Sequence, residues 1–230
     1  MFLKSVEVTN FLSFKGKHQF QFQERLNYVF GSGGTGKTNL ARALEFAVLG
    51  KATHYFPSQL INDGYKEECE KKGERPFCII EAVFKHEGEE YSVRRKLSLL
   101  EENKTKQSAT VPSEISKAIT RENFRYLHLD WRTLEFEQDH VSSTSTRVKE
   151  VVLKHLERNV ELGIRLAILD GLFSYFDRTA AEELLSQVNS MDLDQVIIMQ
   201  KYADFVAPGT LSSPEFKSTC IHNLDMHERS

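Results

Sequence analysis

The chain has 230 residues, 40% of them hydrophobic and 27% charged, with a formal net charge of −3. That is the make-up of an ordinary globular protein with one sizeable core, and it excludes a generic polyanion binder. No apolar run approaches the roughly 20 residues that span a bilayer, so no membrane contact is expected.

Cys69, Cys78 and Cys220 are too scattered for a disulfide framework or a zinc site, and the first residues lack a signal-peptide layout. A reducing, cytoplasmic setting is expected. Charge is unevenly placed: residues 1–100 carry 15 basic and 12 acidic side chains, and the remainder 15 and 21. A nucleic-acid contact would therefore need a local basic patch. Lys15 with Lys17, and Arg94-Arg95-Lys96, are the candidates, with solvated strand ends as the plain alternative.

Leu3–Thr9 alternates apolar and polar residues, as a half-buried strand does, and Phe20–Gln23 alternates again. Two antiparallel strands are predicted there. Leu26–Phe30 is an apolar run that reads as a third strand. Next comes Gly31-Ser32-Gly33-Gly34-Thr35-Gly36-Lys37-Thr38, which fits G-x-x-x-x-G-K-[ST] at every required position. Asn39–Leu49 then reads as a helix stopped by Gly50. Strand, glycine loop and helix N-terminus make an anion site from backbone N–H groups and the helix dipole. A nucleoside triphosphate with Mg²⁺ is the predicted ligand of Gly31–Asn39. Lys37 would reach the β- and γ-phosphates, and Thr38 would turn its hydroxyl to the metal.

Ile61–Pro76 is rich in charge and turn residues and reads as loop with room for a short helix. Phe77–Lys85 and Tyr91–Leu97 flank a turn and read as a hairpin. Glu101–Thr110 reads as a flexible loop. Pro112-Ser113 opens a predicted helix through Ile119, with Ser113 as its cap. Over Val148–Val160, the residues Val148, Val151, Val152, His155, Leu156 and Val160 share one helical face. Arg165–Asp170 is a compact apolar run ending in Asp, the pattern of a buried parallel strand. Asp170 at such a tip can hold Mg²⁺ beside a phosphate loop, or it can be an ordinary capping Asp after a core strand. Asp177 is placed to N-cap the helix over Ala180–Val188, and Gln195–Met199 is a second buried strand. From Pro208 onward the chain is polar with no strong signal. No repeat, low-complexity tract or sustained heptad run occurs, which leaves no room for a long coiled coil.

Several stretches fall in a familiar order: Val8–Lys15 with its Asn10-Phe11-Leu12-Ser13-Phe14 core, the glycine loop, Leu60–Gly64, the Val83-to-Arg95 hairpin, Leu169–Asp177 and Gln195–Met199. This order, over about residues 1–205, resembles the ABC-type ATPase head of the SMC, RecF and SbcC group, which manages and repairs chromosomes. The resemblance implies an α/β P-loop NTPase fold of ABC-ATPase head type. Its central sheet would be mixed and flanked by helices, with an N-terminal antiparallel β subdomain. It also implies one domain over 1–205: a first lobe to about 125, a signature-like part over 126–163 and a Walker B part over 164–205. A tail of uncertain structure would occupy 206–230.

The departures from the family pattern matter equally. The family usually has Glu after the Walker B Asp, as base for the attacking water; this chain has Gly171. Val141–Ser145 is the positional match to the signature loop. Ser142 fits its serine, but Ser143 and Thr144 replace both glycines; a Ser/Thr-rich cap of the next helix is the plain alternative. Lys201 stands at the switch-histidine position, and Asp177 closes the D-loop run. The Q-loop glutamine is absent near Phe124–Asp130, leaving Gln138 as the nearest metal candidate. The resemblance thus implies an ATP-binding head, slow at hydrolysis. Two copies would pair on ATP, Ser142, Ser143, Asp177 and Lys201 facing the γ-phosphate or dimer contact, and the pair would bind DNA and a repair protein. The alternatives are a nucleotide-binding regulatory or scaffold subunit, or another P-loop protein. A transport ATPase subunit should carry a conventional signature, and a small-molecule kinase should carry lid arginines, for which Arg121, Arg125 and Arg132 are the candidates.

Overall fold

In a computed structural model of the chain, the described residues are 1–101, 104–130, 144–201 and 220–224. They group into two units. One holds residues 3–22 and 34–122; the other holds residues 1–2, 23–33 and those from 123 onward.

The first unit is built on a five-stranded sheet of order β2-β1-β4-β5-β6. In β1 (Phe2–Phe11) the alternation buries Leu3, Val6, Val8 and Phe11. It pairs antiparallel with β2 (Phe14–Gln21), Val6 opposite Phe20. The predicted hairpin is β4 (Phe77–His86) with β5 (Glu89–Glu101), in register from Phe77 opposite Ser98 to His86 opposite Glu89. Helix α1 (Lys37–Leu49) is buried over Leu40–Val48 and packs on β4 and β5. Arg95 of β5 donates from Nε to the Ala47 carbonyl at 3.0 Å and from Nη2 to that of Val48 at 3.2 Å, satisfying carbonyls that a helix end leaves open.

Two expectations change in this unit, and the short helix allowed for in Ile61–Pro76 is present. Residues 104–110 are not loop but strand β6 (Lys104–Thr110), antiparallel to β5 with Leu97 opposite Gln107. Its side chains are almost all exposed, so an edge strand here carries no apolar alternation to read. Within Ile61–Pro76 lies α2 (Asp63–Lys72), capped by Asn62 Oδ1 accepting from the Tyr65 N–H at 3.0 Å. Only Cys69 of α2 is buried, so no apolar period fixes the bounds of this short helix. In α3 (Ser113–Ala118) Ser113 is the first helical residue, and Pro112 takes the cap position.

The second unit contains a parallel sheet of order β10-β3-β9-β8-β7. Its strands are β3 (Arg25–Phe30), β7 (His128–Asp130), β8 (Leu166–Asp170), β9 (Gln195–Gln200) and β10 (Cys220–Asn223). β8 and β9 are buried at every residue, as parallel strands covered on both faces must be. β10, unread in the polar C-terminal sequence, pairs with β3, Ile221 opposite Tyr28.

Helix α4 (Arg121–Leu127) leads into β7. Helices α5 (Thr144–Glu161) and α6 (Arg178–Ser190) pack with the sheet around Tyr28, Val148, Val152, Leu156, Leu169, Leu184 and Ile198. Val151, assigned to the apolar face of α5, is instead 38% exposed, because that face centres on the i, i+4, i+8 row of Val148, Val152 and Leu156.

Candidate nucleotide site

In an open parallel sheet, ligands bind beyond the carboxyl ends of the strands. The strand order sets β9 between β3 and β8, so the carboxyl edge presents Gly31, then Gln200 and Lys201, then Asp170, then Asp130. Phe30 pairs with Gln200, Asp170 with Met199, and Asp130 with Asp170. The glycine loop leaves this edge after β3. Gly31–Gly33 belong to the parallel-sheet unit, and Gly34–Thr38 belong to the other unit.

Within the loop Gly31, Thr35 and Gly36 are buried, while Gly33 and Gly34 are exposed. Gly36 has φ +97°, the left-handed region that L side chains avoid. It starts α1 with no side-chain cap and no acidic residue in the first turn. That is the arrangement in which a phosphate oxygen serves as the cap. Lys37 and Thr38 are the first two helical residues, and Lys37 Nζ donates to Thr35 Oγ1 at 3.4 Å. Asn39 donates from Nδ2 to Ser13 Oγ at 2.9 Å.

Ser13 lies in the turn between β1 and β2, and Asn10 near the end of β1 and Leu12 in the turn have φ +53° and +48°. That turn is held by the segment after α1. The Leu12 N–H donates to the Leu60 carbonyl at 2.9 Å, the Asn62 N–H to the Asn10 carbonyl at 2.9 Å, and Asn62 Nδ2 to the Leu12 carbonyl at 2.6 Å. The stretches Val8–Lys15 and Leu60–Gly64, read separately in the sequence, are one physical support beneath Gly36 and Asn39.

On the parallel-sheet unit, Lys201 runs along the loop: a Cβ built on Gly33 would lie 3.7 Å from Lys201 Cε. Asp170 is 4% exposed, and its Oδ2 has no hydrogen-bond partner among the described residues. A buried carboxylate oxygen left without a donor suits a cation such as Mg²⁺. The next residue offers no side chain. Gly171 has φ +72°, and its N–H donates to the Met199 carbonyl at 2.8 Å before a short 3-10 turn over Leu172–Tyr175. Asp177 caps α6, its Oδ1 accepting from the Ala180 N–H at 2.9 Å. Gln138, Ser142, Ser143 and Arg132 lie outside the described residues; Thr144 is the first residue of α5.

Two residues at this edge escaped the sequence reading. His128 and Asp130 of β7 are 6% and 2% exposed, and their ligand atoms lie with those of Asp170 within 4.8 Å of one another. The sequence signal is faint: His128-Leu129-Asp130 ends in Asp as Leu166–Asp170 does, but over only three residues.

The basic candidates all have partners. Lys15 pairs with Glu68 at 2.5 Å, Lys17 with Glu7 at 2.7 Å and Arg94 with Glu81 at 2.5 Å. Arg95 caps α1, and Lys96 sits 4.7 Å from the Phe77 ring centre. Exposed pairs of this kind are weak and exchange partners readily.

A parallel sheet with a glycine loop after β3, an Asp on the tip of β8 and a companion antiparallel sheet defines a P-loop ATPase head of the ABC type. The chain belongs to the RecF/RecN/SMC N terminal domain family, whose family model matches residues 2–127. It is similar to the Chromosome partition protein Smc of Thermoplasma acidophilum, 27% identical over 105 residues. The match covers 45% of this chain and only 9% of that relative's length. Among solved structures, the SMC head domain from Thermotoga maritima shares the fold at TM-score 0.56 and 18% identity. An SMC head bound to the C-winged helix domain of ScpA does so at TM-score 0.56 and 12% identity. Each pairing covers 90% of this chain and 91% of the other. No helix among the described residues is long and apolar enough to cross a membrane.

Proposed function

We propose that this head binds Mg-ATP firmly, hydrolyses it slowly, and uses ATP-dependent pairing of two copies to control DNA binding in repair or chromosome maintenance. The observation that carries this reading is the contrast between an intact grip and Gly171. Gly36 starts α1 uncapped, Lys37 and Thr38 come next, and Lys201 lies against the loop, so the residues suited to holding phosphate are present. Thr38 and Asp170 are the residues suited to the metal, which when bound neutralises phosphate charge. The position after Asp170, where the family places its general base, has no side chain. Lack of a positioned base typically lowers the rate about 10²–10⁴-fold, roughly 3–5 kcal/mol of barrier. Binding does not depend on that base.

A second reading has support from the same glycine and from the SMC head that was solved with a winged-helix partner. In it, the chain is a nucleotide-sensing regulatory or scaffold subunit whose ATP state governs a protein partner. Solution mass distinguishes the two. It is measured with and without Mg²⁺ and a slowly hydrolysed ATP analogue, then with duplex DNA. Analogue-induced dimers that retain DNA support head pairing; monomers under every condition contradict it.

A further inference from the structure

The carboxyl ends of β7 and β8 bring together more metal-ligating chemistry than a phosphate-bound Mg²⁺ requires. His128, Asp130 and Asp170 are each more than nine-tenths buried, and their ligand atoms all lie within 4.8 Å of one another. The parallel register fixes this: Asp130 pairs with Asp170, and His128 pairs with Ile168, two residues back on the same face of the sheet. His128 Nε2 and Asp170 Oδ2 face each other at 3.6 Å, too far for a hydrogen bond, and neither has a hydrogen-bond partner among the described residues. Two buried carboxylates this close repel each other. A divalent cation at the centre would satisfy both orphaned atoms and offset the carboxylate charge.

We infer that His128, Asp130 and Asp170 form a direct three-donor site for a divalent transition-metal ion, Mn²⁺ by preference, filled without nucleotide. The inference rests on the reading of Asp170 as a metal-facing carboxylate and adds His128 and Asp130 to it. Donors on one ion stand at most twice the metal–ligand distance apart, about 4.4 Å for bonds of about 2.0–2.2 Å. A few tenths of an ångström of side-chain movement would therefore seat all three. One imidazole with two carboxylates suits Mn²⁺ or Zn²⁺, whereas Mg²⁺ takes oxygen ligands and keeps its waters. The buried carboxylate pair, as hard oxygen donors, favours Mn²⁺.

The test is a titration of MnCl₂ into the whole chain without nucleotide, monitored by the EPR signal of aquo-Mn²⁺. Pulsed EPR on the bound fraction then reads ¹⁴N coupling from a directly bound imidazole. Loss of one equivalent of aquo signal per chain, a ¹⁴N coupling, and displacement only by a large excess of Mg²⁺ are expected. His128→Gln and Asp130→Asn should each weaken Mn²⁺ binding at least about tenfold while the variants stay folded. The wild-type ¹⁴N coupling stands independently of whether the variants fold. Mg-ATP binding with no nucleotide-free Mn²⁺ uptake overturns the three-donor site and leaves the nucleotide reading intact. Bound Mn²⁺ without ¹⁴N coupling, or with undiminished affinity in both variants, also overturns the site. Folded wild-type chain that takes up neither Mn²⁺ nor Mg-ATP overturns both readings.

Discussion

Asn39 donates from Nδ2 to Ser13 Oγ across 2.9 Å, joining the first turn of α1 to the β1–β2 turn. Gly36 lies under the same serine. A Cβ there would fall 2.5 Å from Ser13 Oγ and 3.0 Å from Phe14 Cζ, at φ +97°. The N-terminal turn thus sets how closely the chain can fold back as it enters the helix.

Gly36→Ala should therefore be costly twice over. A left-handed alanine costs about 1–2 kcal/mol, and overpacking adds about 1–3 kcal/mol. Thermal unfolding should show a loss of about 2–5 kcal/mol, and an ATP titration at least about a tenfold weaker affinity. Ser13→Gly in the same chain removes the nearest clash and should recover part of the stability but not all of it, because Phe14 and the φ angle remain.

Gly171→Glu restores a carboxylate after Asp170. With φ +72° at this position, the substitution should cost about 1–2 kcal/mol of stability. Steady-state ATPase should rise at least about tenfold. Gly171→Ala should show the same stability loss with no gain in rate, which separates the carboxylate from the backbone effect.

Inside α1, Arg42 and Glu45 are 7% and 3% exposed. Glu45 accepts from Arg42 Nη1 at 3.1 Å and from the Thr53 N–H at 2.8 Å. Glu45→Ala breaks this buried ion pair and should cost about 3–5 kcal/mol in denaturant unfolding. Replacing both partners, Arg42→Met with Glu45→Leu, should recover most of that loss.

His155 gives a pH signature. Burial pushes its pKa below the ordinary 6.5, opposed by the hydrogen bond to the Tyr126 carbonyl at 2.6 Å and aided by the nearby His128. The unfolded chain takes up the proton near pH 6.5, and the folded chain does so only at lower pH. Between those values the unfolded state binds more protons, so stability falls as pH is lowered through that window. Above pH 6.5 this group contributes no slope. His155→Gln keeps an N–H donor without the titration, and its thermal midpoint should vary less between pH 5 and 6.5.

Legibility in the sequence tracked burial. β8 and β9 stood out because every residue is buried, so Leu166–Asp170 and Gln195–Gln200 are unbroken apolar runs closed by a polar tip. The glycine loop was legible because the phosphate-loop pattern constrains each position of Gly31–Thr38. β6 was not, since an exposed edge strand has no apolar period to detect, and α2, burying only Cys69, could be allowed for but not bounded. Asp130 was overlooked for another reason: a glutamine was sought near it, and a three-residue strand is too short to mark its own carboxylate. Only the pairing of Asp130 with Asp170 reveals that edge.

The decisive measurement for a head that grips ATP but turns it over slowly pairs an ATP-binding titration with steady-state hydrolysis on one preparation, with Lys37→Ala as the control. Firm Mg-ATP binding that Lys37→Ala abolishes, with turnover about 10²–10⁴-fold below that of an ABC head that has its glutamate, is the predicted result. Turnover equal to such a head, abolished by Lys37→Ala, would contradict it.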